Sequence, residues 1–155
     1  MSVSVQEGDF DAGAEITALS QGCPEVGAVA TFIGLVRTAR DGSGVRAMTL
    51  EHYPGMTEKA LEDIVVDARG RWHLEGVRVI HRVGRLEPGD QIVFVGVAGA
   101  HRGEAFAACE FIMDYLKTRA PFWKREETPQ GVRWVEARES DDDAAVRWDD
   151  IEIRR

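Results

Sequence analysis

Lysine is scarce in this chain: among 19 basic residues only Lys59, Lys117 and Lys124 are lysines, and the rest are arginines. Cysteine is scarcer still. Cys23 and Cys109 stand far apart, form no C-x-x-C pair and join no Cys/His cluster, so a disulfide framework is not expected and a metal site is unsupported. Net positive charge is missing as well. The balance of 27 acidic against 19 basic residues gives −8, the wrong sign for a general nucleic-acid or anionic-membrane binder. No apolar run approaches the ~18 residues of a membrane span, and no basic segment followed by an apolar stretch opens the chain, so neither a membrane helix nor a secretory signal is expected.

What is present is an ordinary globular balance, 44% hydrophobic and 30% charged over 155 residues. That suffices for a single domain with one core, and two reduced cysteines suit a cytoplasmic protein. Codon bias toward arginine accounts for the ratio of bases. It also makes each lysine more informative, because lysine can give up its proton at working pH and arginine cannot.

Patterning orders the elements. Ser2 to Gln6 alternates like a short strand, and Asp11 caps a short helix ending near Gly22. Gly27 to Arg37 reads as a buried strand, and Thr38 to Gly44 as a loop rich in Gly, Ser and Asp. Met48 to Tyr53 alternates. Thr57 is placed as the cap of a helix whose Leu61, Ile64, Val65, Ala68 and Trp72 share one face. Val77 to Val83 alternates again, Glu87 to Asp90 turns, and Gln91 to Ala98 is an apolar strand buried on both faces. A second long helix runs from about Glu104 to Ala120 and stops before Pro121. Phe122 to Thr128 and Val132 to Ala137 form a hairpin about Pro129-Gln130-Gly131, and a last helix runs from a cap at Ser140 to Trp148. Strands with two main helices, each followed by a strand, imply an α+β domain with a mixed or antiparallel sheet.

Chemistry concentrates in one stretch. Gly99-Ala100-His101-Arg102-Gly103 joins a buried strand to a helix start, where free N–H groups and the dipole favour an anion; a plain capping loop explains it too. Lys117 sits in the last turn of that helix, where a cation against the dipole is the simplest reading. Lys124 shares a strand face with Phe122 and Glu126, while Trp123 and Arg125 point the other way. His101, Arg102, Lys117, Arg119, Lys124 and Arg125 together suggest a basic pocket for a small anionic substrate, with Arg37 as a clamp and a lysine of lowered pKa in proton transfer or as nucleophile. His52 and His81 read as ordinary strand histidines, Cys109 as core, and the tryptophans as packing or interface material. The hairpin with Trp134 and Arg138 is the sequence's best candidate for a homodimer surface.

The segments TLEHYPGMTEKAL (Thr49 to Leu61), VIHRVGRLEPGD (Val79 to Asp90), VGVAGAHRGEAF (Val95 to Phe106), FIMDYLKTRAPFWKRE (Phe111 to Glu126) and WVEARESD (Trp134 to Asp141) together resemble the large, catalytic subunit family of molybdopterin synthase. The resemblance runs from about Gly27 to Trp148, within a single domain spanning 1–155 and leaving an acidic tail at 149–155. It implies an α/β hammerhead-type α+β fold and a homodimer. Each copy would bind a small ubiquitin-like sulfur-carrier subunit, giving a heterotetramer. The implied activity is that of a sulfurtransferase in molybdenum cofactor biosynthesis: cyclic pyranopterin monophosphate becomes molybdopterin, with two sulfurs taken from the thiocarboxylate at the carrier's C-terminus. No cofactor or metal is implied. On matching positions Lys117 and Lys124 would be catalytic, and Leu35, Val36, Arg37, His101, Arg102, Lys117, Lys124, Arg125 and Glu126 would bind substrate. A non-catalytic module that merely recruits the carrier is the competing expectation; a phosphate-ester enzyme working without a protein partner is a weaker one.

Overall fold

The computed structural model describes residues 2–37, 46–135 and 139–149. Its elements run β1 (Val3–Gln6), α1 (Ala12–Ser20), β2 (Ala28–Leu35), β3 (Ala47–His52), α2 (Met56–Arg71), β4 (Gly76–Arg82), β5 (Gly84–Leu86), β6 (Gln91–Gly99), α3 (Arg102–Arg119), β7 (Phe122–Thr128), β8 (Gly131–Val135) and α4 (Glu139–Asp149). The expected elements are present, but the strands divide into two sheets. The first has the order β1-β4-β6-β2 and is mixed, since β1 lies parallel to β4; the second, β5-β3-β7-β8, is antiparallel throughout. The short strand β5 was not foreseen: three residues are too few to display a period.

The main core fills the space between the first sheet and helices α2 and α3. Val79, Val95 and Val97 from the strands meet Leu61, Ala68, Ala108, Phe111 and Ile112 from the helices, all essentially out of water. Helix α4 closes this core through Trp148, which packs edge-on to Trp72 and Phe111 and donates its indole N–H to Asp114 at 2.6 Å. A smaller cluster of Val36, Met48, Leu50 and Leu86 seals the second sheet.

Two expectations need correction. Strand β2 is not buried: it lies at the edge of its sheet, with Phe32, Ile33 and Leu35 exposed at 41%, 37% and 54%. β-Branched, apolar sequence signals a strand but does not say whether both of its edges are paired. Thr57 does not cap α2 either. Gly55, at φ 84°, holds the cap position, while the Glu58 carboxylate accepts the Gly55 N–H. Thr57 is buried instead; its hydroxyl accepts from the Tyr53 N–H and donates to the Pro121 carbonyl, tying α2 to the start of β7. The expected loop after Arg37, Thr38 to Gly44, lies outside the described residues, as do Arg138 and the C-terminal tail from Asp150.

Candidate functional site

Register decides which of the expected site residues can meet. Strand β2 runs antiparallel to β6, with Ala28 opposite Gly99 and Gly34 opposite Val93, and His81 of β4 lies opposite Val93 on the other side. Arg37, just beyond β2, therefore leaves the sheet at the end where His81 sits, whereas the Gly99–Arg102 loop leaves it at the other end. Helix α3 then returns along the sheet and carries the chain roughly 22 Å from Arg102 to Lys117. The candidate residues split into two groups. Arg37, Lys117 and Lys124 gather at one end of the first sheet; His101 and Arg102, both exposed, stand at the opposite end.

His81 shows that the two lysines share one electrostatic neighbourhood. Its ring is buried and lies nearly parallel to that of Phe122, with centroids 3.8 Å apart. Nδ1 donates to the Arg82 carbonyl at 2.8 Å; because a carbonyl only accepts, this fixes the neutral tautomer with its proton on Nδ1. Burial drives the imidazole pKa down to about 3, and the positive charges of Lys117 and Lys124 push in the same direction, as does His52. Ammonium groups from a helix end and from a strand thus act on one buried ring. The sequence reads His81 as an ordinary strand histidine, in the core or at the surface, and the structure puts it in the core; the lysine charges that act on it come from long-range packing and leave no local signal.

The remaining candidates are placed as follows. Leu35 is exposed at the strand end, but Val36 has its side chain in the small second cluster and its N–H on the Asp90 carbonyl at 2.9 Å. Val36 thereby anchors Arg37. Lys124 is half-buried and faces the same way as Phe122 and Glu126, in register with Leu50 and Val135. Arg125 points to the other face, paired with Glu51 at 3.4 Å and lying over the Trp134 ring. The Glu126 carboxylate takes two guanidinium nitrogens of Arg133, at 2.9 and 3.1 Å. Arg125 and Glu126 are therefore engaged within their own sheet.

Neither thiol is poised for chemistry. The neighbouring Glu25 carboxylate holds the Cys23 pKa above its ordinary value, and burial pushes Cys109 up to about 11. Among the described residues no group of three or more His, Cys, Asp or Glu side chains could hold a metal ion, and no helix is long and apolar enough to cross a membrane.

Comparison with known proteins gives a consistent result. Residues 5–119 match the profile of the family described as MoaE protein. The molybdopterin synthase catalytic subunit of Ralstonia nicotianae is 66% identical over 147 residues, covering 95% of this chain and 84% of that protein. A molybdopterin biosynthesis MoaE protein from Burkholderia ambifaria superposes with a TM-score of 0.80 at 55% identity, covering 96% of this chain and 98% of that one. Molybdopterin synthase from Staphylococcus aureus, at 26% identity, still gives 0.79 over 85% of this chain and 95% of that one.

Proposed function

The chain belongs to the MoaE protein family, and we propose that it acts as the catalytic subunit of molybdopterin synthase with Lys117 and Lys124 as its working groups. It is a sulfur-transferring enzyme of molybdenum cofactor biosynthesis. Its substrate is cyclic pyranopterin monophosphate, and its sulfur donor is the C-terminal thiocarboxylate of a small ubiquitin-like carrier subunit. Two sulfurs enter the pterin side chain and the cyclic phosphate opens. Each donation exchanges the carrier's C–S bond for C–O, with the oxygen supplied by water, and leaves a carboxylate on the carrier. The steps as written call on no metal or cofactor, and the composition suits a cytoplasmic setting.

The observation that carries this reading is that the charges of Lys117 on α3 and Lys124 on β7 both act on the same buried ring. Negative charge builds on the phosphate oxygen as the ring opens, and a pair of fixed cations stabilises it. A lysine can also deliver or take up the proton that each sulfur insertion requires. Arg37 leaves β2 at the same end of the sheet and serves as a planar clamp for the phosphate.

His101 and Arg102 fit the same reading through a second copy of the chain. An antiparallel seam between the exposed β2 edges of two copies sets Arg37 of one copy beside Gly27 of the other. The Gly27 N–H bonds to the Gly99 carbonyl at 2.9 Å, two residues before His101. A two-fold seam on β2 covers Phe32, Ile33 and Leu35 and brings the two basic groups together. The reading takes β2 as the homodimer surface, where the sequence suggested the 129–131 hairpin.

Mixing the purified chain with thiocarboxylated carrier and cyclic pyranopterin monophosphate in a single turnover tests the proposal. Dithiolene formation is the expected result. Carrier binding without product would leave a recruiting module, and phosphate release without carrier would indicate an ordinary esterase.

A further inference from the structure

Lys117 and Lys124 lie on different elements joined by one tight turn. The Phe122 N–H bonds to the Ala120 carbonyl at 2.9 Å, and the chain leaves the helix at an extended Ala120. Two groups from outside hold this turn. The Thr57 hydroxyl donates to the Pro121 carbonyl at 3.3 Å, and the His81 ring lies flat on Phe122. Lys124 follows Phe122 by two positions on the same strand face, so a backbone shift at Phe122 is carried along the strand to it. Lys117 precedes the turn in the last helical turn of α3.

We propose that His81 is a positioning residue: by stacking on Phe122 it fixes the α3–β7 turn from which the two lysines project, an inference that rests on those lysines being the catalytic pair. An imidazole suits this place for two reasons. Its Nδ1–H bond to the Arg82 carbonyl sets the ring plane, which a phenyl ring could not do by hydrogen bonding. As a neutral ring it also adds no further positive charge in a place where the charges of Lys117, Lys124 and His52 already act. The Phe122 ring in turn covers the imidazole and keeps it from water.

Single-turnover assays of His81→Phe, His81→Asn and Phe122→Leu test this, with carrier affinity and thermal midpoint measured alongside. His81→Asn removes the ring but keeps a donor for the Arg82 carbonyl. It is expected to lose dithiolene formation on the order of 10²-fold, the scale of a displacement of about 1 Å at reacting groups, while KM for the pterin stays within about two-fold. His81→Phe restores a ring but not the bond that sets its plane, and should recover part of the rate. Phe122→Leu removes the opposite ring, should reproduce the loss, and carries the test if His81→Asn does not fold. The double variant should be no slower than the slower single variant. Wild-type rates in both His81→Asn and Phe122→Leu would overturn the inference, as would a His81→Phe enzyme no faster than His81→Asn. Lys117→Arg assayed in parallel separates the two levels of the argument: its full activity would defeat the lysine reading itself, whereas its inactivity beside fully active His81 variants would defeat only the positioning role.

Discussion

Arg102 and Lys117 stand near opposite ends of the same helix, so one copy of the chain holds their backbones far apart. The span follows from helical rise alone and is roughly 22 Å. A phosphate and a pterin fit within half of that distance. Mixed dimers provide the test. A dimer of one Lys117→Arg chain and one Arg102→Ala chain holds one site with both wild-type residues and one with neither. Each variant alone is expected to be nearly inactive, and activity should reappear when the two are refolded together. Continued inactivity of the mixed dimer would place His101 and Arg102 outside the site.

Lys117→Arg separates helix-end charge from chemistry. The guanidinium preserves the cation at the end of α3 but cannot release its proton at working pH. Dithiolene formation in single turnover should fall by ~10²- to 10⁴-fold with carrier binding unchanged. Lys59→Arg is the control. Lys59 lies exposed on α2, paired with Asp63 at 3.0 Å, and its replacement should leave the rate unaltered.

Gly27→Ala should damage the distant half of the site. A Cβ at this position would run into the Ala100 carbonyl, which is backbone and cannot swing away. The 99–102 loop must shift, and a loss of about 1–3 kcal/mol in stability is expected. Chemical denaturation measures that cost. The rate should fall further than the stability loss explains, because His101 and Arg102 move with the loop.

Stability should also depend on His81 through pH. The folded imidazole is held at about 3 against an ordinary 6.5. Below 6.5 the unfolded chain binds a proton there that the folded chain refuses. The contribution is therefore intact above 6.5 and is lost as pH falls toward 3, by about 1.4 kcal/mol for each unit. Urea denaturation at about pH 7 and about pH 5 should show a smaller acid loss for His81→Phe than for wild type. Equal losses would mean that His81 is not buried in its neutral form.

Trp148→Ala should detach α4. The indole is 8% exposed, packs against Trp72 and Phe111, and donates to Asp114. A loss of about 3–5 kcal/mol is expected on thermal unfolding.

Local rules carried the fold a long way. Asp11 caps α1 by accepting from the Ala14 N–H, and Pro121 ends α3, because both effects act within a turn of the chain. Thr57 misled the reading because a threonine before a helical face looks like a cap whether its hydroxyl bonds inside the helix or, as here, to a carbonyl 64 residues away. The alternation in β7 correctly put Lys124 on the face of Phe122 and Arg125 on the other. No local pattern, though, could show that His101 and Arg102 lie a sheet's length from Arg37. That separation follows from β2 pairing antiparallel with β6, a contact between distant segments.

The open edge of β2 has a consequence for the chain before it finds a second copy. A strand that presents free N–H and C=O groups together with Phe32, Ile33 and Leu35 is a template for any extended segment nearby. With the proposed β2 seam, a newly made protomer is exposed to aggregation during the interval before pairing, and heat resistance becomes a function of protein concentration. Dilution, which harms a self-sufficient domain little, would open a route from this subunit to insoluble aggregates.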